Sequence, residues 1–155
     1  MIKLPTPPRD LSKVPQHQNW FAQLWRRTTK DLNNKEWTDW TPVLSNDASM
    51  TIASTVVVSA QYAAQGQVIF FNAEVTFTTG GSADSEVNLT LPLKTASAVS
   101  FGGFIVDGGN ELAGIAISTA ASVTIKVKRY DSANWSLGTS RKISLSGCYK
   151  STVEY

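Results

Sequence analysis

Residues 61–77, QYAAQGQVIFFNAEVTF, constrain the fold most, because their apolar side chains repeat with a period of two. The odd positions are apolar: Ile69, Phe71, Ala73, Val75 and Phe77. The even positions begin apolar and become polar: Val68, Phe70, Asn72, Glu74 and Thr76. Side chains alternate between the faces of a strand. The pattern therefore predicts a strand covered on both faces at its start and on one face at its end, entered through a turn at Gly66.

Further strands are predicted from Met50 to the end of the chain. Residues 50–59 are rich in β-branched side chains, and three later segments alternate apolar with polar residues, at 87–91, 123–127 and 143–146. Turn-forming residues separate them at 79–82, 107–110 and 131–134. About eight strands with glycine-rich connections favour an all-β fold. We expect an antiparallel two-sheet sandwich, jelly-roll-like in its connections.

The N-terminal residues 1–15 have a different composition, with four of the six prolines of the chain. Proline fixes its own φ and restricts the residue before it, so this segment is predicted to be an extended Pro-rich arm. Leu4, Leu11 and Val14 have no core of their own within such an arm. The arm is therefore expected to lie on a partner, with a disordered tail as the alternative.

Residues 16–34 contain neither proline nor glycine and predict one short α-helix capped by Asn19. Its larger apolar side chains gather on one side: Trp20, Phe21, Leu24, Trp25 and Leu32. Arg26 and Arg27 occupy the other side. A helix of this length is marginal in isolation. Its apolar side therefore predicts a docking groove, a return onto the strands, or a symmetric bundle of copies.

The basic residues concentrate at the N-terminus, where residues 1–40 carry a net charge of +3 against −1 for residues 41–155. The basic helix end at 25–30 could contact nucleic acid or an acidic protein. A solvated charged face is the commoner outcome, and a total charge of +2 is too small for extensive phosphate neutralisation. We therefore expect no nucleic-acid partner.

A junction between arm and strands is predicted at residues 36–44, EWTDWTPVL, which resemble a short edge strand. Four of the five tryptophans lie between positions 20 and 40. Such clustering is typical of a place where a segment or a subunit meets a globular domain. The predicted domains are an anchoring arm and helix at residues 1–40 and a β-sandwich at residues 41–155.

Residue types suited to catalysis are scarce. The chain has one cysteine, Cys148, and one histidine, His17, so we expect no metal site, no cofactor and no hydrolytic triad. Two carboxylate pairs, at 107 and 111 and at 84 and 86, lie in or beside predicted turns, where aspartate commonly bonds the backbone. The chain is predicted not to be an enzyme. It shows no signal peptide and no stretch long enough for membrane insertion.

One loop outside the arm combines aromatic and polar side chains that suit a sugar. Residues 130–135, YDSANW, offer four candidate glycan contacts: Tyr130, Asp131, Asn134 and Trp135. A tryptophan face can stack on the C–H side of a sugar ring, and amide or carboxylate groups can bond its hydroxyls. The alternative is that Trp135 caps the core or a subunit contact, which is the interpretation we favour from the sequence.

The β region as a whole resembles the small β-sandwich domains of virion fibres and receptor-binding proteins of tailed bacteriophages. The resemblance covers residues 40–150. It rests on Trp40, Thr41 and Pro42, on Tyr62, Gly66 and the strand that follows, on the segment 87–92, VNLTLP, and on the closing segment 145–149, LSGCY.

This resemblance implies a structural, non-enzymatic homotrimer that projects from a virion and touches host surface polysaccharide through exposed loops. It also implies a protein made in the host cytoplasm and attached by residues 1–40 to a tail adaptor, a nozzle or the capsid. The expected anchoring residues are Leu4, Leu11, Val14, Trp20, Phe21, Leu24, Trp25, Arg26 and Arg27. A tail-fibre or receptor-binding type of appendage is the leading expectation. A capsid decoration or head-fibre protein and a carbohydrate-binding module are the alternatives.

Overall fold

The computed structural model describes residues 36–154, and these form antiparallel β-structure without a helix. The antiparallel all-β prediction is therefore confirmed. The strands are β1 (Thr38–Asp39), β2 (Leu44–Ser45), β3 (Met50–Gln65), β4 (Val68–Gly81), β5 (Glu86–Thr90), β6 (Val99–Asp107), β7 (Asn110–Ser118), β8 (Thr124–Arg129) and β9 (Gly138–Lys150). The Pro-rich arm and the short helix were predicted for residues outside the described range.

Hydrogen bonding connects the nine strands into one sheet in the order β1-β3-β4-β9-β6-β7-β8-β5-β2. The sequence predicted two sheets, and in this respect the structure differs. The edge strands β1 and β2 are separated along the chain by residues 40–43 alone, so the Cα atoms of Asp39 and Leu44 are five residue steps, at most about 18 Å, apart. The sheet therefore curls until its two edges approach each other. The apolar side chains of its inner face pack into a single core. A curled single sheet can therefore bury apolar side chains that a sandwich would bury between two sheets.

β4 lies third from one end of this order and supplies the clearest alternation in the sheet. Its odd-numbered residues from Ile69 to Thr79 are buried, while the even-numbered ones are at least partly accessible. The predicted inward face is thus confirmed. The prediction that both faces of the strand are buried at its start is wrong, because Val68 is 40% exposed. Val68 directly follows the hairpin turn, where the outer face of the sheet is open.

Aromatic side chains from three strands meet on the inner face. Phe71 of β4 packs edge-on against Phe101 of β6, with ring centroids 5.1 Å apart, and against Tyr149 of β9 at 5.9 Å. The Tyr149 hydroxyl donates to the backbone oxygen of Leu93 at 2.8 Å. Edge-to-face pairs of this kind add to the stabilisation from buried area. They join strands that are far apart in sequence.

Two predicted turns form as expected. Gln65 pairs with Val68 across a two-residue loop whose first residue, Gly66, has φ of 58°. Gly108 and Gly109 both have positive φ, 61° and 85°, between β6 and β7. Positive φ at both central positions defines the hairpin turn whose twist matches that of the flanking strands, and glycine adopts it without steric cost.

One compact unit of the chain begins at Trp37 and contains all the described strands. Within it, Thr38 and Asp39 pair with Tyr62 and Gln61 of β3, and the Trp40 amide donates to the backbone oxygen of Ala60. The short edge strand expected near residues 36–44 is therefore present as β1 and β2. β1 begins at Thr38, three residues before the sequence-based start of the β domain at residue 41.

Candidate functional site

The nine predicted anchoring residues all lie outside the described range, between positions 4 and 27. Their role stays a prediction from the sequence. The four predicted glycan contacts, by contrast, are all described. Trp135 is buried, Asp131 is bonded to neighbouring residues, and Tyr130 and Asn134 are exposed.

Trp135 lies in the core and is 0% exposed. Its ring packs on Phe77 with centroids 5.7 Å apart, and its backbone amide donates to the Asp84 oxygen at 2.8 Å. A sugar ring therefore has no access to the indole face. The prediction of Trp135 as a stacking platform is wrong, and the alternative that it caps the core is confirmed. The connection between β8 and β9 turns it inward.

Asp131 is engaged within its own loop. Its carboxylate accepts two hydrogen bonds from the Arg129 guanidinium, at 3.1 and 2.7 Å, and one from the Ala133 amide at 3.1 Å. The bonds from Arg129, followed by that from Ala133, lower the pKa of Asp131. Tyr130 is 59% exposed and Asn134 is exposed as well. The loop thus keeps Tyr130 and Asn134 exposed beside the bonded but exposed Asp131, without the tryptophan platform that motivated the prediction.

Asp107 forms the centre of what we call the buried clamp, together with Arg129, Arg141 and Ser136. The carboxylate accepts from Arg129 Nη1 at 2.8 Å, and Arg141 Nε lies 2.9 Å from Oδ1. Ser136 adds its hydroxyl at 2.5 Å and its amide at 3.1 Å. Asp107 and Arg141 are both buried. The clamp joins the end of β6 to β8, to the segment before β9 and to β9 itself. Its charged groups therefore hold these elements together.

The carboxylate pairs noted in the sequence are separated by the fold. Asp107 points inward, whereas Glu111 is exposed on β7 opposite Val106. Asp84 accepts from the Asn46 side chain at 2.8 Å and from the Ser85 amide at 2.6 Å, which is the turn chemistry expected for it. Glu86 lies on β5 and faces two lysines instead.

A cleft of about 430 Å³ that the sequence did not predict lies on the outer face of β5, β7 and β8. The strand register places Ser45, Asn88, Lys126 and Ile117 in one row across β2, β5, β8 and β7. Asp47 and the turn before β8 complete its walls. We call this feature the outer cleft. Its volume falls within the range of about 300–1,000 Å³ that is usual for small-ligand sites.

A charge network runs along one wall of the outer cleft. Lys126 Nζ lies 2.7 Å from Glu86 and 3.5 Å from Asp47, and Lys128 Nζ lies 2.5 Å from Glu86. The hydrogen bonds from Lys126 and then Lys128 lower the pKa of Glu86. The bond to Glu86 raises the pKa of Lys126. Two ammonium groups and two carboxylates balance, so the cleft has no net charge.

Asn88 lies beneath this network and is only 5% exposed. Its Nδ2 donates to Asp47 Oδ1 at 2.8 Å, but its Oδ1 is buried without a hydrogen-bond partner. An unsatisfied buried polar atom costs about 1–3 kcal/mol, so it calls for an explanation. The alternation of residues 87–91 predicted Asn88 to face water. It is buried instead, and Asp47 from a different part of the chain accepts the hydrogen bond of its Nδ2.

The middle of β3, residues 53–59, is a second exposed feature, which we call the edge segment. Val56 and Val58 are 57% and 56% exposed. On the side away from β4, no described strand forms a ladder with the edge segment, since β1 reaches only Gln61 and Tyr62. No charged residue occurs between Asp47 and Glu74. Isolated domains usually protect such edges with charge.

Comparison with known proteins matches the chain to no family model, no curated protein and no solved structure. Residues 36–154 hold no group of three or more His, Cys, Asp or Glu side chains placed to bind a metal ion. The same residues include no helix with the length and hydrophobicity that a membrane crossing requires. The outer cleft and the edge segment are the candidate functional features of this part of the chain.

Proposed function

We propose that the protein is a structural, non-enzymatic component of a tailed-phage virion. In this proposal it is a small homotrimeric tail-fibre or receptor-binding type of appendage. Residues 1–40 attach it to the particle as a Pro-rich arm followed by a short helix. The two halves of its curled sheet face each other across the core, as the layers of a jelly-roll-like sandwich would. The phage assignment rests on the sequence resemblance, and the described residues support the assembly part.

The observation that carries the proposal is the edge segment. A monomer gains nothing from two valines that are more than half exposed on a strand edge without charge. A second copy would remove this apolar surface from water, at roughly 25 cal/mol per Å² buried. Bulges between Ala53 and Val56 and between Val57 and Ser59 interrupt the regular ladder there. Side-chain packing between copies therefore suits this edge better than a continuous shared sheet.

The buried clamp supports a structural role for the polar residues. Asp107 accepts hydrogen bonds from Arg129 and from the amide and hydroxyl of Ser136, and it forms an ion pair with Arg141. A buried carboxylate with these partners holds segments of the fold together and is not open to a substrate. This agrees with a scaffold that presents surfaces.

Light scattering on the full-length protein tests the trimer. We expect a trimeric mass for the native chain and a monomeric mass for the double variant Val56→Lys, Val58→Lys, because lysine on an edge opposes association. Val153→Lys is the matched control, since Val153 is also exposed but lies outside the edge segment. A native monomer at micromolar concentration, or a trimer that survives both lysines, would contradict this part of the proposal.

Removal of residues 1–36 tests the anchor. The deletion stops before Thr38 because β1 belongs to the sheet. We expect a folded β domain that no longer joins particles. Incorporation of the truncated chain into virions would disprove the anchoring role. Immunogold labelling of particles that carry the full chain separates tail attachment from the capsid decoration alternative.

A further inference from the structure

The outer cleft has the properties of a ligand site, beginning with its position. It is built from three adjacent strands and the segments that follow β2 and precede β8, so most of its lining side chains are positioned by hydrogen-bonded strands. The row Asn88, Lys126, Ile117 places an amide, an ammonium and an apolar side chain side by side at the spacing of neighbouring strands. A ligand lying across the strands would meet all three in turn.

The hydrogen-bonding groups of the cleft that can take a further partner define which functional groups a ligand must have. Asn88 Oδ1 lacks a donor, while Asp47 is well exposed and can accept further bonds. Lys126 has an ammonium that can donate to an additional acceptor. Ile117 is partly exposed and presents an apolar surface to the same space. The ligand must therefore donate, accept and offer a C–H surface within a short distance.

The absence of net charge in the cleft favours a ligand that is itself uncharged. An anionic ligand would meet Asp47 and Glu86, and a cationic one would meet Lys126 and Lys128. A neutral molecule meets neither penalty. Hydroxyl groups both donate and accept, and a saccharide ring adds an apolar C–H side.

We propose that the outer cleft binds a neutral, hydroxyl-rich saccharide. Asp47 and Lys126 bond its hydroxyls, and Ile117 contacts its C–H side. Asp47 accepts from Asn88 Nδ2, so a small shift of its exposed side chain opens the Asn88 amide group to a sugar hydroxyl. The inference rests on the receptor-contact part of the proposed function and is independent of trimerisation. It moves the sugar site from residues 130–135 to the opposite end of β8.

The test uses the full-length protein and an array of neutral oligosaccharides of glucose, galactose, mannose and N-acetylglucosamine, with glucuronate-containing analogues beside them. Hits are titrated by NMR with the corresponding methyl glycosides. We expect a neutral glycoside to shift the amide resonances of Asn88 and Ile117. Asp47→Ala and Lys126→Met should each weaken binding at least tenfold, which is about 1.4 kcal/mol. Lys142→Met is the control, because Lys142 is a partly exposed lysine paired with Glu74 outside the cleft.

Three results would overturn the inference. The first is that no saccharide shifts these resonances at about 10 mM, a concentration that detects even the weakest useful affinities. The second is that binding survives both cleft variants. The third is that glucuronate analogues bind at least as tightly as neutral ones. Loss of the trimer with sugar binding intact would refute the assembly proposal alone, and a trimer without sugar binding would refute the cleft alone.

Discussion

The buried clamp around Asp107 and the outer cleft around Asn88 both combine two cationic side chains with carboxylates. In the clamp the cations are Arg129 and Arg141, and Arg141 is buried with its partner. In the cleft they are Lys126 and Lys128, which are partly exposed. Arginine offers a planar fork of fixed donors that suits a buried carboxylate, whereas lysine is a flexible and strongly hydrated point charge.

This difference in burial assigns different roles to ion pairs of similar chemistry. Asp107 of β6 is held by Arg129 of β8, by Ser136 in the following connection and by Arg141 of β9, so these bonds cannot be exchanged without loss of the fold. The bonds of the cleft are screened by water and can be replaced by those of a ligand at small cost. The clamp is therefore expected to govern stability and the cleft to govern binding.

The largest expected effect is that of Asp107→Asn. Removal of one partner from a buried ion pair leaves an uncompensated charge on Arg141 and typically costs about 3–5 kcal/mol. Urea denaturation of the variant and the native chain measures this loss, and failure to fold would agree with it. Asp131→Asn, which removes the exposed partner of Arg129, should reduce stability far less, because water screens an exposed pair. A loss below about 1 kcal/mol for Asp107→Asn would erase the distinction between clamp and cleft.

Trp135→Ala should have a comparable or slightly smaller effect. Trp135 precedes Ser136 of the clamp and packs on Phe77, and truncation of a buried tryptophan costs about 3–5 kcal/mol. Thermal unfolding of the variant checks the prediction, with Tyr130→Ala as the exposed aromatic control. If saccharide binding weakened while stability held, Trp135 would belong to a site and the comparison would have to be redrawn.

Glu86→Gln should have the smallest effect, at most about 1 kcal/mol near neutral pH, because the pairs with Lys126 and Lys128 are partly exposed. The pKa of Glu86 is lowered in the folded chain, so its contribution is complete above the ordinary value near 4.5. That contribution is lost as the pH falls through the lowered value. The difference in melting temperature between native chain and variant should shrink below that pH. A difference that stays constant down to pH 3 would contradict the coupling.

Much of the sheet could be predicted from local pattern. The alternation along β4, the turn at Gly108 and Gly109, and the short edge strands near Trp40 follow from side-chain period and turn chemistry, which act over a few residues. The candidate site could not be predicted in this way. Asp47 and Lys126 are far apart in sequence, and no local signal indicates that they meet.

The sequence by itself determined that this chain forms antiparallel β-structure, which side of β4 faces inward, and where two of its hairpins turn. These properties depend on neighbouring residues, whose preferences are already present in the unfolded chain. Only the tertiary structure decided that the strands join in one curled sheet, that Trp135 is buried, and that Asn88 is buried and bonded to Asp47. Strand order and the burial of these side chains depend on contacts between distant segments. The periodicity of a segment does not indicate which other segment it will contact.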